Sequence, residues 1–158
     1  MRRASVIAVV GAAVAEPPTL AVAEEVGAAL AEAGYTVVTG GLGGVMEAAS
    51  RGARSELGAT IGILPGEDAE AANGWVELAI PTGLGDARNA LVVAAAQACV
   101  AVGGEYGTLA EIAFALSAGK QVVGLGTWDV QGVEHVSTAD EAVARITAAL
   151  AQKHRTSG

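Results

Sequence analysis

Residues 102–111 read VGGEYGTLAE, with glycines at 103, 104 and 107, then Thr108 and Glu111, directly behind the apolar run ACVAV. Glycine lets the backbone approach a ligand closely, and a helix starting just beyond offers free N–H groups and a partial positive charge. The chemistry such a run supplies is anion binding, phosphate above all. Similar glycine runs follow other apolar stretches: Gly11; Gly40, Gly41, Gly43 and Gly44 in TGGLGG; and Thr82 with Gly83 in PTGLG. Each run alone also reads as a tight turn. Together they mark Gly11, Gly40, Gly41, Gly43, Gly44, Thr82, Gly83, Gly103, Gly104, Gly107 and Thr108 as candidate phosphate-binding residues, with Glu47, Asn89 and Glu105 as possible ligand-facing neighbours. Arg88 joins them, because a planar cation in a chain with nine Lys plus Arg has its best use on a phosphate or carboxylate.

Two acids in this set carry competing readings. Thr108 to Glu111 has capping-box spacing, in which the glutamate satisfies a helix-start N–H instead of facing a ligand. A carboxylate at Glu105 would repel a phosphate if it turned inward and leave it undisturbed if it turned outward. Trp75 and Trp128 read first as packing residues, with stacking on a planar ring as the alternative.

Several functions are excluded. No GxGxxG follows the first strand and no Walker lysine occurs, so neither NAD binding nor ATP hydrolysis is expected. Cys99 lies in an apolar run, and His135 and His154 have no companion ligands, so no protein-ligated metal and no disulfide framework is expected. A formal net charge of −8 argues against a nucleic-acid partner. No apolar run reaches the roughly 20 residues that span a bilayer, so no membrane partner is expected. MRRASVIAVVGAAVAE has the outline of a secretory signal, but the strand pattern downstream requires Ser5–Val10 as its first member. The expectation is a cytoplasmic protein.

The elements that must position these residues alternate. Strands are predicted at 5–10, 35–39, 59–65, 75–80, 98–102 and 121–125, and helices at 17–34, 43–56, 84–98, 107–119 and 138–151, the last opened by a Thr138–Glu141 capping box. Short apolar strands alternating with helices require a parallel sheet covered on both faces. The predicted fold is a single-domain α/β, three-layer doubly wound (Rossmann-like) parallel sheet over 1–151, with a polar, loose tail at 152–158. The helices around ALVVAAAQA and IAFALSAG are apolar on nearly every side, which predicts a homodimer or homotetramer.

GGLGGVMEAASRGA, TIGILPG, IPTGLGDARNALVV and AVGGEYGTLAEIAFALSAGKQVVGL together resemble the molybdenum cofactor carrier proteins, over roughly residues 5 to 128. Those proteins sit within the Rossmann-like group that includes the Lonely Guy phosphoribohydrolases, many once labelled possible lysine decarboxylases. The resemblance implies a homo-oligomer that binds a phosphorylated heterocycle, with the molybdenum cofactor (molybdopterin) as ligand. Its hydrolase branch implies an alternative, cleavage of a nucleoside 5′-monophosphate to a free base and ribose 5-phosphate, with Arg88 and Glu111 catalytic. Gly103 stands where the hydrolases carry proline, Asn89 where they carry lysine, and Glu47 where they carry glycine; each departure leans toward the carriers. Glu105 departs from the carriers too, which usually have glycine there.

Overall fold

The structure, a computed structural model, describes residue 1 and residues 3–158; Arg2, one of the two N-terminal arginines, lies outside the described residues. The elements run β1 (Val6–Gly11), α1 (Pro17–Glu32), β2 (Thr36–Thr39), α2 (Val45–Ser55), β3 (Thr60–Leu64), β4 (Leu78–Pro81), α3 (Arg88–Ala94), β5 (Ala98–Val102), α4 (Tyr106–Ser117), β6 (Gln121–Leu125), β7 (Val133–His135) and α5 (Ala139–Thr156). All seven strands are parallel, in the order β4-β3-β2-β1-β5-β6-β7. This is the doubly wound sheet that the alternation predicts. Strand order reverses between β1 and β5, where Gly11 pairs with Val102. In open parallel sheets the ligand crevice lies at that reversal, outside the carboxyl ends of the strands.

Side chains alternate across the sheet, as a pleated strand demands. Ile7, Val9, Val100 and Val102 face one layer, packed against α1, α2 and α5. Ala8, Val10, Cys99 and Ala101 face the other, packed against α3 and α4. Within the first layer α1 and α2 meet at backbone distance: a Cβ built on Gly27 would stand 1.9 Å from the Ala49 carbonyl oxygen, and one on Gly52 1.9 Å from that of Glu24. Any side chain at either place separates the helices. The ion pair Arg51–Glu24, 3.3 Å, closes the same contact at the surface.

Four features differ from the sequence reading. The sheet has a seventh strand, β7, because three residues suffice once β6 offers a parallel edge to pair with. The helix predicted over 84–98 is shorter: a 3₁₀ turn at Gly85–Ala87 precedes it, and α3 proper begins at Arg88. Helix α5 continues past Ala151 to Thr156, with Lys153, His154 and Arg155 in its last turn, where cations suit the negative end of the helix. Thr138 caps α5 as its spacing predicts, accepting from the Glu141 N–H, but Glu141 reaches back to Ser137 rather than to Thr138.

Candidate functional site

Three helices start at the carboxyl edge of the sheet near the crevice, and they are not equivalent. Helix α1 opens with Pro17 and Pro18, which have no N–H to offer, behind an N-cap Glu16. Helix α2 carries Glu47 in its first turn, and its first N–H, that of Val45, is spent on the Ala12 carbonyl, 3.0 Å. Helix α4 has no acid in its first turn. The N–H groups of Gly104, Glu105, Tyr106, Gly107 and Thr108 find no acceptor among the described residues, the next bond being Leu109 N–H to the Glu105 carbonyl, 3.0 Å. That makes the α4 start a run of five consecutive free donors at a helix start with neither proline nor acid in its first turn.

Conformation explains why two glycines are needed there and a third is not. Gly103 and Gly104 have φ of 55° and 113°, which L side chains rarely adopt. Glu105 has φ −116° and ψ −159°, extended backbone open to any residue, so the carboxylate that departs from the family pattern costs the loop nothing. Its side chain makes no capping hydrogen bond and the residue is exposed.

The loop is held by its carbonyls. Thr127 Oγ1 donates to the Gly103 carbonyl at 2.6 Å, and the Trp128 indole N–H donates to the Glu105 carbonyl at 3.1 Å, with the Trp128 ring stacked on Tyr106 at 5.9 Å. With the carbonyls engaged on the β6–β7 side, the N–H groups are left for a ligand. The TGGLGG loop is tied in the same manner: Asn73 donates from its Nδ2 to the Leu42 carbonyl, 2.8 Å, and from its backbone to that of Gly41, 2.9 Å. Asn73, Thr127 and Trp128 are thus part of the site's construction. Sequence reading did not assign them there, although LGTWD follows β6 at the same edge and was open to the same topological argument.

Arg88 and Asn89 link the two loops. Both are about nine-tenths buried, and Arg88 Nη1 donates to Asn89 Oδ1. A Cβ on Gly40 would lie 2.8 Å from Arg88 Nη2, and one on Gly107 would lie 3.6 Å from Asn89 Nδ2. Gly40, Arg88, Asn89 and Gly107 therefore form one continuous line across the crevice. Arg88 Nε is buried without a partner, and Glu111, 6% exposed, makes no hydrogen bond or ion pair with a described residue. Burial raises the Glu111 carboxyl from 4.5 to about 8, against the opposing pull of Arg88; burial likewise lowers the Arg88 guanidinium, with Glu111 and Asp86 opposing. One buried guanidinium nitrogen without a partner, beside five free N–H donors, is an arrangement that an anionic ligand would satisfy. The capping-box reading of Thr108 and Glu111 fails, since α4 starts at Tyr106 and both residues are already inside it.

The remaining candidates lie elsewhere or serve packing. Gly11 makes room for Val45, whose Cγ1 would be 2.5 Å from a Cβ there, and Gly44 for the Ala12 carbonyl, 2.2 Å away. Gly43 stands against the Ala13 carbonyl and Gly41 against Leu64, while Glu47 is half-buried on α2. Thr82 and Gly83 follow β4 at the sheet's edge, four strands and roughly 19 Å from β5. Thr82 Oγ1 donates to the Leu64 carbonyl, 2.7 Å, and accepts from the Leu84 N–H, 3.2 Å, so its hydroxyl is occupied.

Residues 4–154 match the model of the SLOG cluster4 family. The chain belongs to that family. It is 41% identical over 138 residues to an uncharacterized protein of Archaeoglobus fulgidus, covering 87% of this chain and 91% of that one. Among SLOG-type folds of known structure, the molybdenum cofactor binding protein of Rippkaea orientalis superposes with a TM-score of 0.89 at 34% identity, over 95% of this chain and 99% of that one. The Moco carrier protein of Chlamydomonas reinhardtii superposes at 0.86 with 37% identity, over the same 95% and 99%. Likeness to the carrier proteins thus extends over nearly the whole of this SLOG domain. No helix among the described residues is long and apolar enough to cross a membrane.

Proposed function

We propose that this SLOG protein binds and carries the molybdenum cofactor, or a closely related phosphorylated heterocycle, as cargo, and that it works as a cytoplasmic homodimer or homotetramer. The observation that carries the reading is the run of free N–H groups from Gly104 to Thr108 beside the buried, partly unpartnered Arg88. A phosphate monoester suits this set: its oxygens accept from backbone donors at the positive end of α4, and a guanidinium adds directional, charge-assisted bonds. Gly40 and Asn89 complete the cradle by holding Arg88 in place. In this reading the cargo's phosphate is the handle by which the chain holds it. The likeness to two cofactor-binding proteins over nearly full length supports the same reading.

The test is to purify the chain from cells that make the cofactor, oxidise it under denaturing conditions, and measure fluorescent pterin and molybdenum per chain. Near-stoichiometric pterin in the wild type, with at least a tenfold loss in Arg88→Ala, is the expected result. Absence of pterin from the wild type overturns the reading.

The adjacency of Arg88 and Glu111 also favours a second reading, hydrolysis of a nucleoside 5′-monophosphate, with Arg88 holding substrate and Glu111 supporting an oxocarbenium-like transition state or orienting water. Such stabilisation requires an ionised carboxylate. Burial favours the protonated form of Glu111, which weighs against this second reading together with the departures from the hydrolase pattern at Gly103, Asn89 and Glu47. Release of ribose 5-phosphate from a panel of nucleoside monophosphates, abolished in Glu111→Gln, reverses the order of the two readings.

A further inference from the structure

A cleft of about 350 Å³ opens between the first turn of α1, the ends of β5 and β6, and the segment leading into α5. Pro18, Thr19, Val22, Leu125, Val136 and Ser137 form its walls, and Gly103 its rim. None of its lining side chains is charged. Four other clefts on the described surface carry Arg3, Arg54, Lys120 or Glu25, in keeping with a chain holding nine basic and seventeen acidic residues. A neutral lining at the ends of β5 and β6, beside the point where strand order reverses, sets this cleft apart from those four, since burying a charged group there would forfeit hydration without compensation.

The cleft meets the anion site at Gly103. One residue further, at Gly104, the free N–H groups begin, and Thr127 pins the Gly103 carbonyl so that the rim is fixed. The hydroxyls of Thr19 and Ser137 make no hydrogen bond with another described residue, which leaves polar contacts at the mouth of an otherwise apolar cavity. Apolar walls with a few free polar groups are the usual composition of a pocket for a planar, uncharged ring.

We infer that this cleft receives the neutral fused ring of the ligand whose phosphate rests on the α4 loop, so that the ligand crosses the sheet edge with its ring on the α1/α5 side. The inference rests on the phosphate reading above. It places ring recognition in Thr19, Val22 and Ser137, away from Arg88 and Glu111. The competing place for the ring is Tyr106, 82% exposed and stacked on Trp128 at the other side of the loop.

Calorimetry with two probes separates these possibilities: inorganic phosphate, which has no ring, and guanosine 5′-monophosphate, which adds a fused bicyclic ring to the same anion. The wild type is expected to bind the nucleotide at least tenfold more tightly than phosphate. Ser137→Trp, which fills the cleft from its exposed rim, and Val22→Phe, which fills it from α1, are expected to remove that advantage while changing phosphate affinity less than twofold. Circular dichroism melting identifies a variant that fails to fold, and Ser137→Trp, at an exposed position, then decides alone. The inference is overturned if the nucleotide gains nothing over phosphate, if the filled variants keep the full advantage, or if Tyr106→Ala removes it instead. Binding of neither probe sinks the phosphate reading itself, and the ring site with it.

Discussion

The two helical layers of this domain are built on opposite principles. On one face α1, α2 and α5 bury Ala23, Val26, Leu30 and Ile146 completely, and Gly27 and Gly52 let two helix backbones touch. The other face has only α3 and α4, and the large apolar side chains left in solvent concentrate there: Leu91 on α3, Phe114 on α4, and Leu78 and Ile80 on β4, which pair with Ile61 and Ile63 of β3. The first layer is finished within one chain. The second is short of covering, and it is also the layer that carries Arg88, Asn89 and Glu111. Packing is concentrated in the first layer and the candidate ligand residues lie in the second, a division expected to limit how far loss of one disturbs the other.

The sharpest way to break this comparison is to attack the finished face. Gly27→Val forces a branched side chain into the Ala49 carbonyl and is expected to cost about 4 kcal/mol, lowering Tm by roughly 10 °C in calorimetric melting. A loss below about 1 kcal/mol would mean that the layers are equally pliable. The unfinished face is expected to respond in the other direction at high pH. Because the folded chain holds the Glu111 proton up to about pH 8 while an unfolded carboxyl releases it near 4.5, this group's stabilisation is complete below 4.5 and is lost as pH rises through 8. Glu111→Gln keeps the neutral shape at every pH. Denaturant titrations should therefore find it similar to wild type near pH 4.5 and more stable by a few kcal/mol at pH 9.

Parts of this division are visible in the chain itself. Alternation of short apolar strands with helices dictates a parallel sheet, and ACVAV followed by GGEYGT marks the site's central loop. What escaped reading shares one cause: the signals are non-local. Gly27 and Gly52 are single glycines inside helical patterns, meaningful only once α1 and α2 are known to touch. Asn73, Thr127 and Trp128 act through backbone carbonyls that topology brings to them from more than 20 positions away. β7 has three residues and no apolar alternation, so only its partner β6 defines it. The cap alternative for Glu111 arose because capping-box spacing is indifferent to where the helix really begins.

Smaller effects sharpen the second face. Arg88→Ala is expected to weaken phosphate-ligand binding about 10- to 100-fold, the worth of a charge-assisted contact, while leaving assembly intact by light scattering. Leu91→Glu and Phe114→Glu are expected to do the reverse: dissociate the proposed oligomer, with intrinsic stability changed by about 0.5 kcal/mol or less, since both side chains are exposed in the single chain. Glu105→Gly should change phosphate affinity by less than threefold in calorimetry, because the residue is exposed and its charge is screened by solvent.

In the proposed reading the anion site lies at the start of α4 and not at the start of α1, where a doubly wound fold commonly offers it. Titrating ¹⁵N-labelled protein with inorganic phosphate, and following backbone amide shifts, tests this directly. The account predicts saturable shifts centred on Gly104 to Thr108, with Arg88 side-chain resonances moving alongside and Thr19 and Leu20 unaffected. Shifts centred on Thr19 and Leu20, or no saturable shift between 104 and 108, would contradict it.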